Sequence, residues 1–134
     1  MRCVLVTGAA GMLGSELLRT VPPGLAVVGT DLRRESGVDA VGIDLAEPAQ
    51  VRALFDEHGP FEGVIPTAAW TAVDLAEERE TEARRANETA CAVLAAHCAS
   101  AEIPLVVVST DFVFDGASAR PYREDDVPNP VSVY

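Results

Sequence analysis

The sequence predicts an α/β protein built on a doubly wound parallel sheet, and three observations lead there. Short apolar runs alternate with helix-patterned stretches through its 134 residues, the order that buries a parallel sheet between helical layers. A glycine-rich turn, Gly8-Ala9-Ala10-Gly11-Met12-Leu13-Gly14, joins the first apolar run to the first helical stretch. The second run ends on an acid, Asp31, 17 residues after Gly14. Strand, glycine turn, helix, strand and acid form the physical recipe for holding a dinucleotide in a Rossmann-type fold. The first glycine allows the tight turn, the middle one lets backbone approach a pyrophosphate, and the last lets helix pack closely on strand. Met12 and Leu13 open the helix, whose free N–H groups and partial positive charge face the phosphates.

Each element follows from local pattern. Cys3-Val4-Leu5-Val6-Thr7 places a strand at about 2–7, followed by a helix at 12–20. Ala26-Val27-Val28-Gly29-Thr30 gives a strand at 25–30, and shorter signals give strands at 40–43 and 62–66, with a helix at 48–58 between them. A short turn near 73–78 precedes a long helix at 79–100. In that helix Ala83, Ala86, Ala90, Leu94 and His97 recur at three or four residues and form one packing stripe, with Asn87 on its flank. Ile103-Pro104-Leu105-Val106-Val107-Val108 is nearly continuous and β-branched, which predicts a strand at 103–109 buried on both faces. Pro104 is tolerable at its first residues, where a ladder donor is dispensable. Past residue 110 the pattern fails, and Asp115-Gly116, Arg120-Pro121, Val127-Pro128 and Asn129-Pro130 are loop chemistry.

Composition narrows the function classes. Hydrophobic residues make up 49% and charged residues 23%, ordinary for one soluble α/β domain. The net charge of −11 opposes a nucleic-acid or anionic-membrane partner. No apolar stretch approaches the ~18 residues that span a bilayer, so the expected location is cytoplasmic. Cys3, Cys91 and Cys98 have no metal-ligand spacing and an odd count for disulfides, so they are expected to be small apolar packing residues.

Ser109, Thr110 and Asp111 leave the end of the 103–109 run, where open α/β sheets bind ligands. Taken alone, Ser-Thr-Asp after a strand fits a capped turn as well as a site. The wider pattern is more specific. Ser109-Thr110-Asp111-Phe112-Val113-Phe114-Asp115-Gly116, Pro121-Tyr122-Arg123-Glu124-Asp125 and Pro130-Val131-Ser132-Val133-Tyr134 closely resemble the dTDP-4-dehydrorhamnose reductase family of extended short-chain dehydrogenase/reductases. Ala68-Ala69-Trp70-Thr71-Ala72-Val73-Asp74 and Asn87 agree with that family's loop and following helix, and Gly8, Gly11 and Gly14 carry the short-chain glycine spacing. The resemblance covers the whole chain in order.

It implies hydride transfer from NADP or NAD to the C4 ketone of a nucleotide-sugar. Gly8, Gly11 and Gly14 would cradle the pyrophosphate, with Met12 and Leu13 beside it. Asp31 would approach the adenosine ribose, Arg33 and Arg34 a 2′-phosphate, and Asp44-Leu45 the adenine. Ala68, Ala69 and Trp70 would line the nicotinamide end. Thr110 matches the family's catalytic hydroxyl and Tyr134 its catalytic tyrosine, which a lysine four residues later would acidify. In some members a glutamate matching Glu16 contributes to a Mg2+ site between subunits, and longer members are compatible with a homodimer. No metal site is expected in this chain, where Glu16 is expected to be a surface helix residue.

The pattern is broken in three places. The chain ends at Tyr134, before the lysine expected at position 138. It is therefore expected to be an N-terminal fragment or truncated product, an incomplete NAD(P)-binding domain over 1–134 without the substrate-binding region and inactive alone. Ile65-Pro66-Thr67 stands where the family has Ile-Asn-Ala, and a proline there is expected to shift the nicotinamide loop. Trp70 and Phe112 replace tyrosines and keep aromatic walls. Elsewhere His58 is expected at a solvated helix end, His97 as a partly buried structural residue, and 77–85 as a solvated face with pairs such as Glu80–Arg84. Two other function classes stay open: an epimerase or dehydratase on the same scaffold, and a non-catalytic NADP binder like the regulatory subunit of methionine adenosyltransferase.

Overall fold

The computed structural model describes residues 2–134. Four parallel strands form one sheet in the order β3-β2-β1-β4: β1 (Arg2–Thr7), β2 (Leu25–Asp31), β3 (Ala40–Val41) and β4 (Gly63–Pro66). Between them lie α1 (Met12–Arg19) and α2 (Pro48–His58). After β4 come α3 (Val73–Glu78), α4 (Glu80–Arg84), a π turn (Arg85–Thr89) and α5 (Ala90–Ser100). The chain reverses direction at β1, so right-handed crossovers place α1 on one face and α2 with α5 on the other. On the second face Leu5, Leu54, Phe61, Val64 and Cys98 form the core. Two aromatic contacts extend it, Phe55 against Phe61 at 5.1 Å and against His97 at 4.1 Å. This is the doubly wound sheet the alternating pattern predicts, and His97 is the half-buried packing residue expected.

Two expectations need correction. The long helix at 79–100 is not one α-helix, because the π turn inserts wider backbone spacing at Arg85–Thr89. The 103–109 run is not a strand buried on both faces. It keeps a single parallel bridge, Val64 to Leu105, and Val106, Val107 and Val108 are 63%, 47% and 54% exposed.

Pro66 explains where that ladder stops. The Val64 N–H donates to the Pro104 carbonyl and the Val106 N–H to the Val64 carbonyl, each at 3.0 Å. In parallel pairing the next rung needs an N–H from residue 66 toward Val106, and proline has none. Pro66 therefore acts on this side of β4, and its other side is intact, paired with Thr7 of β1. Replacing Pro66→Asn should supply the rung, at about 1 kcal/mol for one hydrogen bond. Amide exchange at Val108 should slow in that variant; unchanged exchange there would refute the account.

Candidate functional site

The site begins where β1 hands over to α1. Gly8 sits at φ +66°, a conformation that favours glycine, and a Cβ there would lie 2.5 Å from the Ala68 nitrogen. At Gly14 a Cβ would lie 2.1 Å from the Gly8 carbonyl oxygen. Turn, helix and the loop after β4 are therefore in backbone contact. No side chain caps α1 at Gly11, so the first N–H groups of the helix, from Met12 onward, lack intrahelical partners. Met12 is 92% exposed and Leu13 42%, leaving the mouth of the turn open.

Asp31 ends β2 against this turn. One carboxylate oxygen accepts the Ala10 N–H at 3.0 Å and the other the Arg33 N–H at 2.9 Å. The Arg33 guanidinium reaches back to the Ala10 carbonyl at 2.9 Å. Burial pushes the Asp31 carboxyl up, but the two N–H groups and the Arg33 charge outweigh it and hold the group below its usual range.

The loop after β4 is stitched to β1. Thr67 donates its N–H to the Thr7 carbonyl at 3.1 Å and its hydroxyl to the same oxygen at 2.7 Å. The Ala68 N–H donates to the Thr7 hydroxyl at 3.3 Å. Farther along, Asn87 holds the Trp70 backbone from both sides, accepting its N–H at 2.8 Å and donating to its carbonyl at 3.0 Å. The π turn that carries Asn87 also carries Arg85, which bonds Asp44 at 2.8 Å and also pairs with Glu47. That guanidinium, with the Ala46 N–H, holds the Asp44 carboxyl below its ordinary value.

Residues from 110 onward return to the same place. Thr110 accepts the Phe112 N–H at 3.2 Å and so caps the short turn Asp111–Val113. Phe112 packs edge-on against Tyr134, ring centres 5.3 Å apart. The Val133 N–H donates to Glu77 at 2.8 Å, which ties the terminal residues to α3. Between them Asp115 gathers the Tyr122 hydroxyl at 2.6 Å, the Ala117 N–H at 2.9 Å and the Asn129 amide at 2.9 Å. These donors, Tyr122 foremost, pull the Asp115 carboxyl down from 3.8 to about 2. Because the folded value is depressed, the loop's stabilisation is present above the ordinary value and is lost as pH falls through about 2. Near-ultraviolet dichroism from the Phe114–Tyr122 stack should therefore fade between about pH 4 and pH 2. In Asp115→Asn that step should be absent; a step of the same size would refute the assignment.

A cavity of about 350 Å³ results, lined by Thr7, Leu13, Leu45, Ala68, Ala69, Asn87, Ser109, Thr110 and Tyr134 among others. Of the residues singled out in the sequence, Leu13, Leu45, Ala68, Ala69, Thr110 and Tyr134 meet there. Gly8, Gly11, Met12, Gly14, Asp31, Arg33 and Asp44 form the turn and the loops outside this wall. Trp70, expected as a wall, is not in the lining; its indole N–H donates to the Ala72 carbonyl at 2.9 Å. Glu16 is exposed and bonds Arg19 at 2.8 Å. Among the described residues no cluster of His, Cys, Asp or Glu could hold a metal ion, and no helix is long and apolar enough to cross a membrane. Sequence reasoning gave Thr67 no anchoring role and read Glu77 and Arg85 only as a solvated face, whereas Thr67 bonds Thr7, Glu77 bonds Val133 and Arg85 bonds Asp44. Asn87 carried a signal, a polar amide on the flank of an apolar stripe, whereas the π turn beneath it left none.

The family model described as RmlD substrate binding domain matches residues 1–134, the whole chain. The chain belongs to this family. It is 40% identical over 134 residues to a dTDP-4-keto-6-deoxy-D-glucose reductase of Streptomyces niveus, covering 97% of this chain and 42% of the relative. It is 41% identical over 133 residues to a dTDP-4-dehydrorhamnose reductase of Streptomyces griseus, covering 97% and 40%. The crystal structure of dTDP-4-dehydrorhamnose reductase from Bacillus anthracis str. Ames in complex with NADP superposes with a TM-score of 0.87 at 29% identity, over 100% of this chain and 45% of that one. The chain thus spans about two fifths of the length of the curated relatives it matches.

Proposed function

We propose that this chain is the dinucleotide-binding part of an NAD(P)H-dependent reductase acting on the C4 ketone of a nucleotide-sugar. One observation carries the reading: Thr110 and Tyr134 share a single cavity with Ala68 and Ala69 at the carboxyl end of the sheet, where such folds place their ligands. The reductase names of the relatives and the NADP-bound neighbour support it. The same reading takes a small-molecule nucleotide-sugar as partner and the cytoplasm as setting.

The residues present fit a dinucleotide. A Cβ at Gly14 would press on the Gly8 carbonyl oxygen, so the backbone cradle exists only with glycine there. The free N–H groups of Met12 and Leu13 at the start of α1 suit a pyrophosphate. Asp31 and Arg33 would stand at the ribose end, Asp44 and Leu45 at the adenine, and Ala68 and Ala69, which line the cavity, toward the nicotinamide. When bound, that ring supplies the hydride. Thr110 donates a hydrogen bond to the carbonyl oxygen and polarises it. Tyr134 gives its phenolic proton to the developing alkoxide. Phe112 holds the Tyr134 ring from its edge.

Proton transfer is the weak step within these residues. All ten Lys and Arg positions are arginine, so no lysine among these residues assists the transfer from Tyr134. The 134-residue chain is therefore expected to bind the cofactor weakly and to show no turnover. Asp31 and Arg33 offset each other's charge, so NADH and NADPH should differ by less than about tenfold, or ~1.4 kcal/mol. Quenching of Trp70, the single tryptophan, reads binding directly. Steady NADPH oxidation with a dTDP-4-keto-6-deoxy-sugar by this chain alone, or no quenching by either dinucleotide, would contradict the reading. Adding the region after the tyrosine from a related reductase should restore activity.

A further inference from the structure

We propose that Asp31 and Arg33 form a two-sided clasp on the Ala10 backbone that sets the shape of the glycine turn, and so serve NAD and NADP equally rather than choosing between them. The inference rests on the dinucleotide reading above. An acid at the end of the second strand is ordinarily a ribose acceptor, but here both oxygens are engaged. Ala10 donates to one at 3.0 Å, and Arg33 donates its N–H to the other at 2.9 Å. The Arg33 side chain spans the same carboxylate at 3.4 Å and the Ala10 carbonyl at 2.9 Å. The N–H and carbonyl of one residue, which belong to the two peptide units flanking the Ala10 Cα, are thus gripped by two neighbouring side chains of opposite charge.

The grip matters because of what adjoins it. The Ala9 N–H donates to the Thr30 carbonyl at 3.1 Å, so Ala9 and Ala10 are both tied to the end of β2. Gly11 follows at once, and from there the uncapped N–H groups of α1 begin. Fixing Ala10 fixes the direction in which those groups point. The Asp31 side chain is 10% exposed against 63% for Arg33, which suits an anchor and its outer strap. The next residue, Arg34, is exposed and makes no hydrogen bond or ion pair among the described residues. It is the arginine left available to a 2′-phosphate.

Calorimetric titration of the chain and three variants with NADH, NADPH and ADP-ribose tests this. Asp31→Asn keeps one acceptor but turns a donor toward the Ala10 N–H or Arg33. It and Arg33→Ala should weaken all three ligands by a common factor of about ten, the loss of one charge-assisted hydrogen bond. Arg34→Ala should weaken NADPH alone. The Ala10 amide resonance should follow the titration of Asp31 in acid and lose that response in Asp31→Asn, an effect that a change in stability alone would not produce. Arg33→Lys, at an exposed position, guards against misfolding and should retain binding between Arg33→Ala and the unaltered chain. An opposite shift for NADH and NADPH in Asp31→Asn overturns the clasp, as does a loss confined to NADPH in Arg33→Ala. If the unaltered chain binds none of the three, the dinucleotide reading fails and the clasp with it.

Discussion

Gly14→Ala is expected to abolish dinucleotide binding and to cost about 3 kcal/mol of stability, the upper part of the range for forcing atoms into a packed interior. The added methyl would stand 2.1 Å from the Gly8 carbonyl oxygen and 2.8 Å from the Ala9 Cα. Both neighbours are backbone, so no side chain can swing aside. α1 would have to back away from the turn, carrying its N–H groups off the pyrophosphate position. Urea unfolding should show a lower midpoint with an unchanged slope. A midpoint equal to that of the unaltered chain would mean that the turn and helix are not in the contact described.

The second large effect is expected at Asn87. Its amide satisfies both the N–H and the carbonyl of Trp70, at 2.8 and 3.0 Å. Removing a partner from a buried polar group costs about 1–3 kcal/mol, and these groups are only partly buried, so Asn87→Ala should cost about 2 kcal/mol. The loop Ala68–Trp70 should loosen with it, and Trp70 emission should move toward that of a solvated indole. Asn87→Asp keeps the acceptor and loses the donor, so about half of both effects is expected. Emission unchanged in Asn87→Ala would show that the loop is held by Thr67 alone.

Much of the cavity was legible in the chain because its signals are local. Glycine spacing needs only the steric limits of a turn, and the packing stripe needs only the helical period. Leu13, Ala68, Ala69, Thr110 and Tyr134 accordingly fall together as the motifs imply. The brackets around them were not legible. Arg85 finds Asp44 across 41 residues, and Val133 finds Glu77 across 56. A charged residue on a helix has many partners open to it in sequence, and only the fold selects one. Asp31 shows the same limit more sharply, since its position at the strand end was clear while the donors claiming its carboxylate were not.

By itself the sequence determined the order of the four strands and of the helices between them, the doubly wound class, the glycine turn, and the family through its loops after residues 68 and 109. All of these rest on short-range pattern, where period and backbone sterics suffice. Tertiary structure decided three things: the π turn that brings Asn87 to Trp70 and Arg85 to Asp44, the engagement of Asp31 with Ala10, and the fate of the 103–109 run. Its apolar composition predicts a buried strand, but a strand is made by its neighbours. With Pro66 unable to donate to Val106, a single bridge remains, and Val106 to Val108 stay exposed.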